Sequence, residues 1–193
     1  GCPMLISPEY AALNAEHHRN DPRYGAFGGN TENLIHAAWQ LGTRDILDYG
    51  CGKGLLAKRM PWPIKEYDPA IPGKSERPEP ADMVICRDGL EHVEPECLDA
   101  VLADLARCVK KIGLFSISTA PSWDVLSDGR NAHLLQRPWE WWKEHLSRYF
   151  RVEGAQEVGQ ITGKGHEMFI GGTSVYVAVT PKKENGHGRS ESR

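Results

Sequence analysis

Residues 44–60 read RDILDYGCGKGLLAKRM: an apolar run that stops at three glycines in five positions, Gly50, Gly52 and Gly54, and resumes as a short helical pattern. A strand that turns this sharply into a helix is the opening unit of a parallel α/β layer. Glycine accepts backbone angles closed to other residues and leaves no Cβ in the path of a ligand. In an open parallel sheet such a turn lies outside the carboxyl end of its strand, where ligands bind. One carboxylate, Asp48, stands two residues before the first glycine.

The alternation continues downstream. IKEYD (64–68) and ADMVICRD (81–88) read as strands, the second apolar enough to be covered on both faces. Pro95 opens a helix in which Leu98, Val101, Leu102, Leu105 and Val109 recur at helical spacing. IGLFSIST is a further strand, PWEWWKEHLSRY a further helix, and FRVEGAQEV with EMFIGGTSVYVAVT a closing antiparallel pair. Upstream, Ser7 and Pro8 start a helix running to about Arg19. Thr31 caps another, with Leu34, Ile35, Ala38 and Trp39 on one face and Gly42 as its stop. The expected fold is α/β, a Rossmann-like and mostly parallel sheet with helices on both faces and a C-terminal antiparallel hairpin. It fills one domain over 1–180, with 1–42 as a helical cap and lid. Residues 181–193 are polar and charged and read as a disordered tail.

Length suits a single core, and a net charge of −3 with a pI near 6.3 gives no electrostatic footprint for nonspecific nucleic-acid binding. No stretch approaches the roughly 18 apolar residues of a membrane span, and the first residues lack the pattern of a secretory signal, so a cytoplasmic protein is expected. Five cysteines without a CxxC pair give no metal-binding spacing, so no metal is expected and the thiols are read as reduced.

Three cofactor classes use glycine turns at this place. A P-loop requires GxxxxGK followed by Ser or Thr, whereas Lys53 is followed by Gly54. A dinucleotide fingerprint requires GxGxxG, whereas the spacing here is GxGxG, with Asp48 placed where it would oppose a pyrophosphate. A carboxylate suits a ligand with a cationic amino group and no phosphate. S-adenosylmethionine is such a ligand, and Asp68, 20 residues after Asp48 at the end of the next strand, is placed to accept its ribose hydroxyls.

ILDYGCGKG resembles motif I of the class I S-adenosylmethionine-dependent methyltransferases, and ADMVICRDGLEHVEPE resembles the fourth-strand region of their small-molecule branch, with its Leu-Glu-His segment. The likeness runs over about 31–180. It implies that Asp48, Gly50, Cys51 and Gly52 contact the methionine part, that Asp68, with Pro69 beside it, holds the ribose, and that Arg87 and Asp88 border the adenine and methionyl ends. One departure stands out: only 13 residues, PAIPGKSERPEPA, separate Asp68 from Asp82, with no room for the family's next helix and strand. The family's strand three is therefore expected to be missing.

Methyl transfer chiefly requires alignment, helped by a general base when the acceptor is a hydroxyl or a protonated amine. His92 and His133 are the catalytic candidates because both follow strand ends; the alternative for each is a structural hydrogen bond. Tyr24, His133, Trp139 and Trp142 are the acceptor-binding candidates. Trp139 and Trp142 lie three apart on one helix face, and that face forms either an aromatic pocket wall or a packing surface. NDPRYGAFGGN, with Tyr24 and Phe27, is either a lid or a connector. The expected reaction moves a methyl group to an oxygen, nitrogen or carbon of a small molecule. The rivals are an enzyme acting on a nucleic acid or protein, disfavoured by the acidic pI, and a cofactor-binding protein without catalysis.

Overall fold

The computed structural model describes residues 4–25, 31–162 and 169–182. Phe27 of the lid expectation and most of the expected tail lie outside them.

The elements run in chain order as α1 (Pro8–Asn20), α2 (Thr31–Leu41), β1 (Ile46–Tyr49), α3 (Leu55–Arg59), β2 (Lys65–Tyr67), β3 (Ala81–Arg87), α4 (Leu98–Cys108), β4 (Val109–Ser118), α5 (Trp139–Tyr149), β5 (Phe150–Thr162) and β6 (Phe169–Pro181). Two short 3-10 turns, Leu90–His92 and Pro95–Cys97, link β3 to α4. The sheet order is β2-β1-β3-β4-β6-β5. The four strands from β2 to β4 pair in parallel, while β4 with β6 and β5 with β6 pair antiparallel. The order reverses between β1 and β3, and the glycine turn after β1 opens at that reversal.

Period-2 alternation divides the parallel strands between two cores. Leu47, Tyr49, Val84 and Cys86 face α4 and α5, where Val101, Leu102, Leu105, Trp142 and Leu146 close one core. Ile46, Met83 and Ile85 face the other way, against Ala38 of α2 and Leu56 and Met60 beside α3. At Gly113 a Cβ would stand 2.7 Å from Val179 Cγ2 and 2.8 Å from the Phe115 ring, so only glycine lets β6 lie this close to β4.

Among the described residues the family's strand three is missing: β2 is the sheet edge. Residues 68–80 instead turn back on themselves, with Ile71 N–H donating to Asp68 O and Lys74 N–H to Ile71 O. An ion pair from Lys74 to Glu66 at 2.8 Å fastens the start. Arg77 Nε to buried Asp104 at 3.0 Å and Arg107 Nη2 to Pro78 O at 2.8 Å fasten the end. Proline-rich sequence that cannot form a ladder is thus held by side chains from α4.

The tryptophans of α5 resolve toward packing. Trp142 is fully buried in the core under the sheet, and Trp139 packs against the same core. Neither lines the cavity described next, so the acceptor-binding expectation for Trp139 and Trp142 is corrected. The α5 face they share is the one turned toward the sheet, and the cavity opens elsewhere, at the carboxyl ends of the strands.

Candidate functional site

A cavity of about 370 Å³ opens over the carboxyl ends of β1, β2 and β3 and runs under α1. The glycine turn forms one wall. Gly50, Gly52 and Gly54 all have positive φ (80°, 50° and 75°), which explains the glycine at each position. Space is open where a Gly50 Cβ would stand, whereas a Gly52 Cβ would meet Gly25 O at 2.7 Å.

The hydrogen bonds of this turn decide what it can hold. Gly50 N–H and Cys51 N–H both donate to Tyr67 O (2.7 and 3.0 Å), Lys53 N–H donates to Gly25 O and Gly54 N–H to Cys51 O. Gly52 N–H donates to Asp68 Oδ2 at 2.9 Å. All five amides from 50 to 54 are therefore spent inside the protein, and none is left to cradle a phosphate. Within the turn itself the geometry thus disfavours the dinucleotide and P-loop alternatives, as the spacing does.

The charge of the wall points the same way. Asp48 is 5% exposed, and burial pushes its carboxyl up to about 7, with Glu66 and Asp68 adding to the rise and Arg87 and Lys74 opposing it. A carboxyl whose anion burial disfavours, with Arg87 and Lys74 offsetting that only in part, gains from a further cationic group at its side. Asp68 accepts Gly52 N–H on one oxygen and Ala70 N–H on the other, leaving one further acceptor direction on each for a diol. Its expected role at the ribose thus comes with a second one, fixing the glycine turn. The cavity is also lined by Cys51, Pro69, Arg87 and Asp88. Asp88 is strained, with φ 46°, and is held there by Ser116, whose carbonyl accepts its N–H and whose hydroxyl donates to its carboxylate at 3.1 Å. Burial raises the Cys51 thiol far above its ordinary range, so it acts as an apolar contact and not as a nucleophile. Together these groups fit S-adenosylmethionine: a carboxylate for its ammonium, another for its ribose, and a glycine backbone open to its approach.

The far end of the cavity is built from segments distant in sequence. Ser7 caps α1, accepting from Tyr10 N–H, and its own N–H and hydroxyl donate to the Glu94 carboxylate (2.8 and 2.7 Å). Tyr10 Oη donates to His92 O at 2.6 Å, which seats α1 on the turn after β3. Tyr24 rests between His17 and His18, with ring centroids 4.3 and 4.6 Å away, and approaches His92 Nδ1 at 3.4 Å. Lys53 Nζ donates to Asp21 O at 2.7 Å and to Tyr24 O, so the described part of the lid segment is fastened to the glycine turn.

His92 and His133 meet here, their rings perpendicular and 4.8 Å apart. Burial pushes His92 down to about 3, with the neighbouring His133 adding to the fall, and burial lowers His133 as well. Both rings are neutral at physiological pH. His133 Nδ1 donates to Ala120 O at 2.6 Å, so Nε2 keeps its lone pair. Asn131 sets this loop, accepting from Ser122 N–H and His133 N–H and donating to Ser122 O. Tyr10, Asn14, His18 and Asp124 complete this end. Sequence reasoning gave them no role, because only the docking of α1 and of the 119–137 loop brings them to the cavity. Glu91 was likewise read only as part of a motif. It is fully buried, Ser118 N–H donates to its Oε1 at 3.0 Å, and its Oε2 has no partner among the described residues. Burial, then the charge of Asp88, raises its carboxyl to about 8.

Residues 18–158 match the family model described as "Methyltransferase domain". The chain belongs to that family. No curated protein matches it by sequence. Among solved structures it is similar to the Burkholderia thailandensis 1,6-didemethyltoxoflavin-N1-methyltransferase with bound 1,6-didemethyltoxoflavin and S-adenosylhomocysteine (18% identity, 92% of each chain covered, TM-score 0.61). It is also similar to the N-methyltransferase NodS from Bradyrhizobium japonicum WM9 in complex with S-adenosylhomocysteine (11% identity, 89% of this chain and 98% of that one, TM-score 0.55). A third is the magnesium protoporphyrin IX methyltransferase ChlM from Synechocystis PCC 6803 with bound S-adenosylmethionine (16% identity, 89% and 94%, TM-score 0.53). The fold is that of methyltransferases crystallised with this cofactor. No helix among the described residues is long and apolar enough to cross a membrane.

Proposed function

We propose that this chain is a cytoplasmic methyltransferase that moves a methyl group from S-adenosylmethionine to a small-molecule acceptor. The observation that carries the reading is the glycine turn: every amide from 50 to 54 is satisfied internally, beside a buried carboxylate that calls for a cation. The three similar methyltransferases named above, each crystallised with S-adenosylmethionine or its product, support the cofactor, and the small molecules named for two of them support the acceptor class. Four buried free thiols, at Cys51, Cys86, Cys97 and Cys108, agree with a reducing compartment.

When bound, the cofactor supplies an electrophilic methyl group on a sulfonium. The chain's own residues do the rest. Asp48 and Arg87 set the charge at the methionyl end, and Asp68 holds the ribose while pinning Gly52. Segment 8–25 covers the glycine turn through Lys53 and excludes water, which keeps the acceptor as the nucleophile. Tyr24, His92 and His133 meet the acceptor, and the two neutral imidazoles offer it lone pairs instead of charge.

Calorimetric titration with S-adenosylhomocysteine, S-adenosylmethionine and NAD tests this reading. Micromolar binding of the first two and none of NAD is expected, with at least about a tenfold loss in Asp68→Asn, whose amide replaces one charged acceptor of a ribose hydroxyl. Binding of NAD in preference to the adenosyl ligands would sink the proposal.

A further inference from the structure

We propose that Glu91, His92 and His133 form a site for one divalent transition-metal cation at the acceptor end of the cavity. The ion's purpose rests on the methyltransferase reading; its binding does not.

One carboxylate oxygen of Glu91 and one ring nitrogen from each histidine lie within 4.8 Å of one another, a spacing that small side-chain movements would bring onto a shared ion. Glu91 is completely removed from solvent, yet only Oε1 is satisfied, by Ser118 N–H. Oε2 has no partner among the described residues. A buried carboxyl oxygen without a partner is a costly arrangement whichever protonation state it holds, and proteins rarely keep one without a reason. Coordination is such a reason.

The histidines are prepared for the same task. His133 gives its Nδ1 proton to Ala120 O, which fixes the tautomer and leaves Nε2 with its lone pair. The His92 ring meets the Tyr24 hydroxyl at a long 3.4 Å, and that hydroxyl donates to Asn14 Oδ1 instead. A backbone carbonyl that orients an imidazole, as Ala120 O does for His133, is a usual outer-shell partner of a metal-ligating histidine. The three residues come from two loops, and the same loops are cross-tied at this point, since Leu135 N–H donates to Glu91 O at 3.0 Å. The cluster is thus placed by the fold's own ties.

Two nitrogens and one carboxylate oxygen suit borderline cations such as zinc, cobalt, manganese or ferrous iron better than magnesium or calcium. Three protein ligands leave at least one coordination position open, as catalytic sites do. His92 and His133 both line the cavity, so an ion they hold would border its acceptor end. An ion there would select acceptors that carry an oxygen or nitrogen donor, and would lower the pKa of a bound hydroxyl. This narrows the acceptor to a small molecule with a donor atom able to bind the ion.

The test uses the full chain freed of metal with a chelator. Cobalt is titrated by its visible absorption and zinc by calorimetry, on the unmodified protein, on His133→Ala and on Glu91→Gln. S-adenosylhomocysteine titration of each variant checks that it still folds. One equivalent of bound ion is expected. Each variant should weaken ion binding by more than the roughly 10- to 100-fold that loss of an outer-shell partner costs, while keeping its S-adenosylhomocysteine affinity. Absence of saturable binding to the unmodified protein overturns the proposal. So does an affinity in both variants unchanged from that of the unmodified protein, which would move the ion to the cluster of His17, Asp21 and Asp124. Failure of S-adenosylhomocysteine to bind the unmodified protein would count against the cofactor reading alone.

Discussion

Asp48→Asn removes one charge and almost no volume, so its effect isolates the electrostatics of the cofactor wall. In the folded protein the carboxyl is pushed up to about 7, chiefly by burial. In the unfolded chain it titrates near its ordinary value of about 3.9. Between those values the folded state binds the proton and the unfolded state does not, so stability is greatest below the lower value and falls as pH rises through the upper one. The difference of about three decades in proton affinity corresponds to at most about 4 kcal/mol. Asparagine has no such slope. The variant should therefore gain on the parent steadily from about pH 4 to about pH 8, reading up to about 4 kcal/mol more favourable at the upper end relative to the lower.

Chemical denaturation of both proteins across that range gives the difference directly. A second readout comes from the ligand. An ammonium placed against Asp48 favours the ionised form, so binding of S-adenosylhomocysteine near pH 6 should release a proton, detectable by calorimetry in buffers of different ionisation enthalpy. In Asp48→Asn the proton release should vanish and affinity should fall by about 10- to 100-fold, the scale of one charge-assisted hydrogen bond. Stability profiles that run parallel with pH would refute the reasoning, because they would mean that Asp48 is ionised in the free protein despite its burial.

Two further substitutions probe the packing that holds the site. Gly113→Ala would drive a methyl group into Val179 and the Phe115 ring, neither of which is the end of a flexible chain, and should cost about 1–3 kcal/mol in urea denaturation with the glycine turn unchanged. Lys53→Ala removes the ties from the glycine turn to the carbonyls of Asp21 and Tyr24. It should leave global stability within about 1 kcal/mol, the worth of hydrogen bonds in a half-exposed setting, while raising protease sensitivity near residue 24 and weakening cofactor binding.

The legible parts of this protein are those whose physics is local. The turn at 50–54 announces itself because three positive-φ positions require glycine whatever surrounds them. The missing strand was equally visible, since 13 proline-rich residues cannot span a helix and a strand, and the structure answers with side-chain ties from α4 to Arg77 and Pro78. The α5 tryptophans were ambiguous for a matching reason. Spacing places Trp139 and Trp142 on one face of a helix, but nothing in the helix itself says whether that face meets a ligand or a sheet. The side of the sheet on which α5 lands decides it, and that is a tertiary fact.

The acceptor end extends this contrast. Asp48, the glycine turn and Asp68 lie within 21 residues, joined by one strand-turn-helix-strand unit, so their chemistry travels together in sequence. Tyr10, Tyr24, Glu91, Asp124 and His133 lie on three segments that touch only after α1 docks through Ser7 on Glu94 and Tyr10 on His92 O. The 119–137 loop then closes through Asn131. These contacts are long-range and polar, and no periodic pattern encodes them. A cofactor shared by many enzymes needs one fixed cradle, which a compact local unit supplies. An acceptor particular to each enzyme needs a variable surface, which loops brought together from afar can alter without disturbing the cradle. The Glu91 carboxyl lies at the seam between the two halves, one oxygen bonded to the end of β4, the other without a partner among the described residues, and one of them within 4.8 Å of a nitrogen of each histidine, so replacing it tests whether acceptor chemistry can be removed while the cradle still binds its ligand.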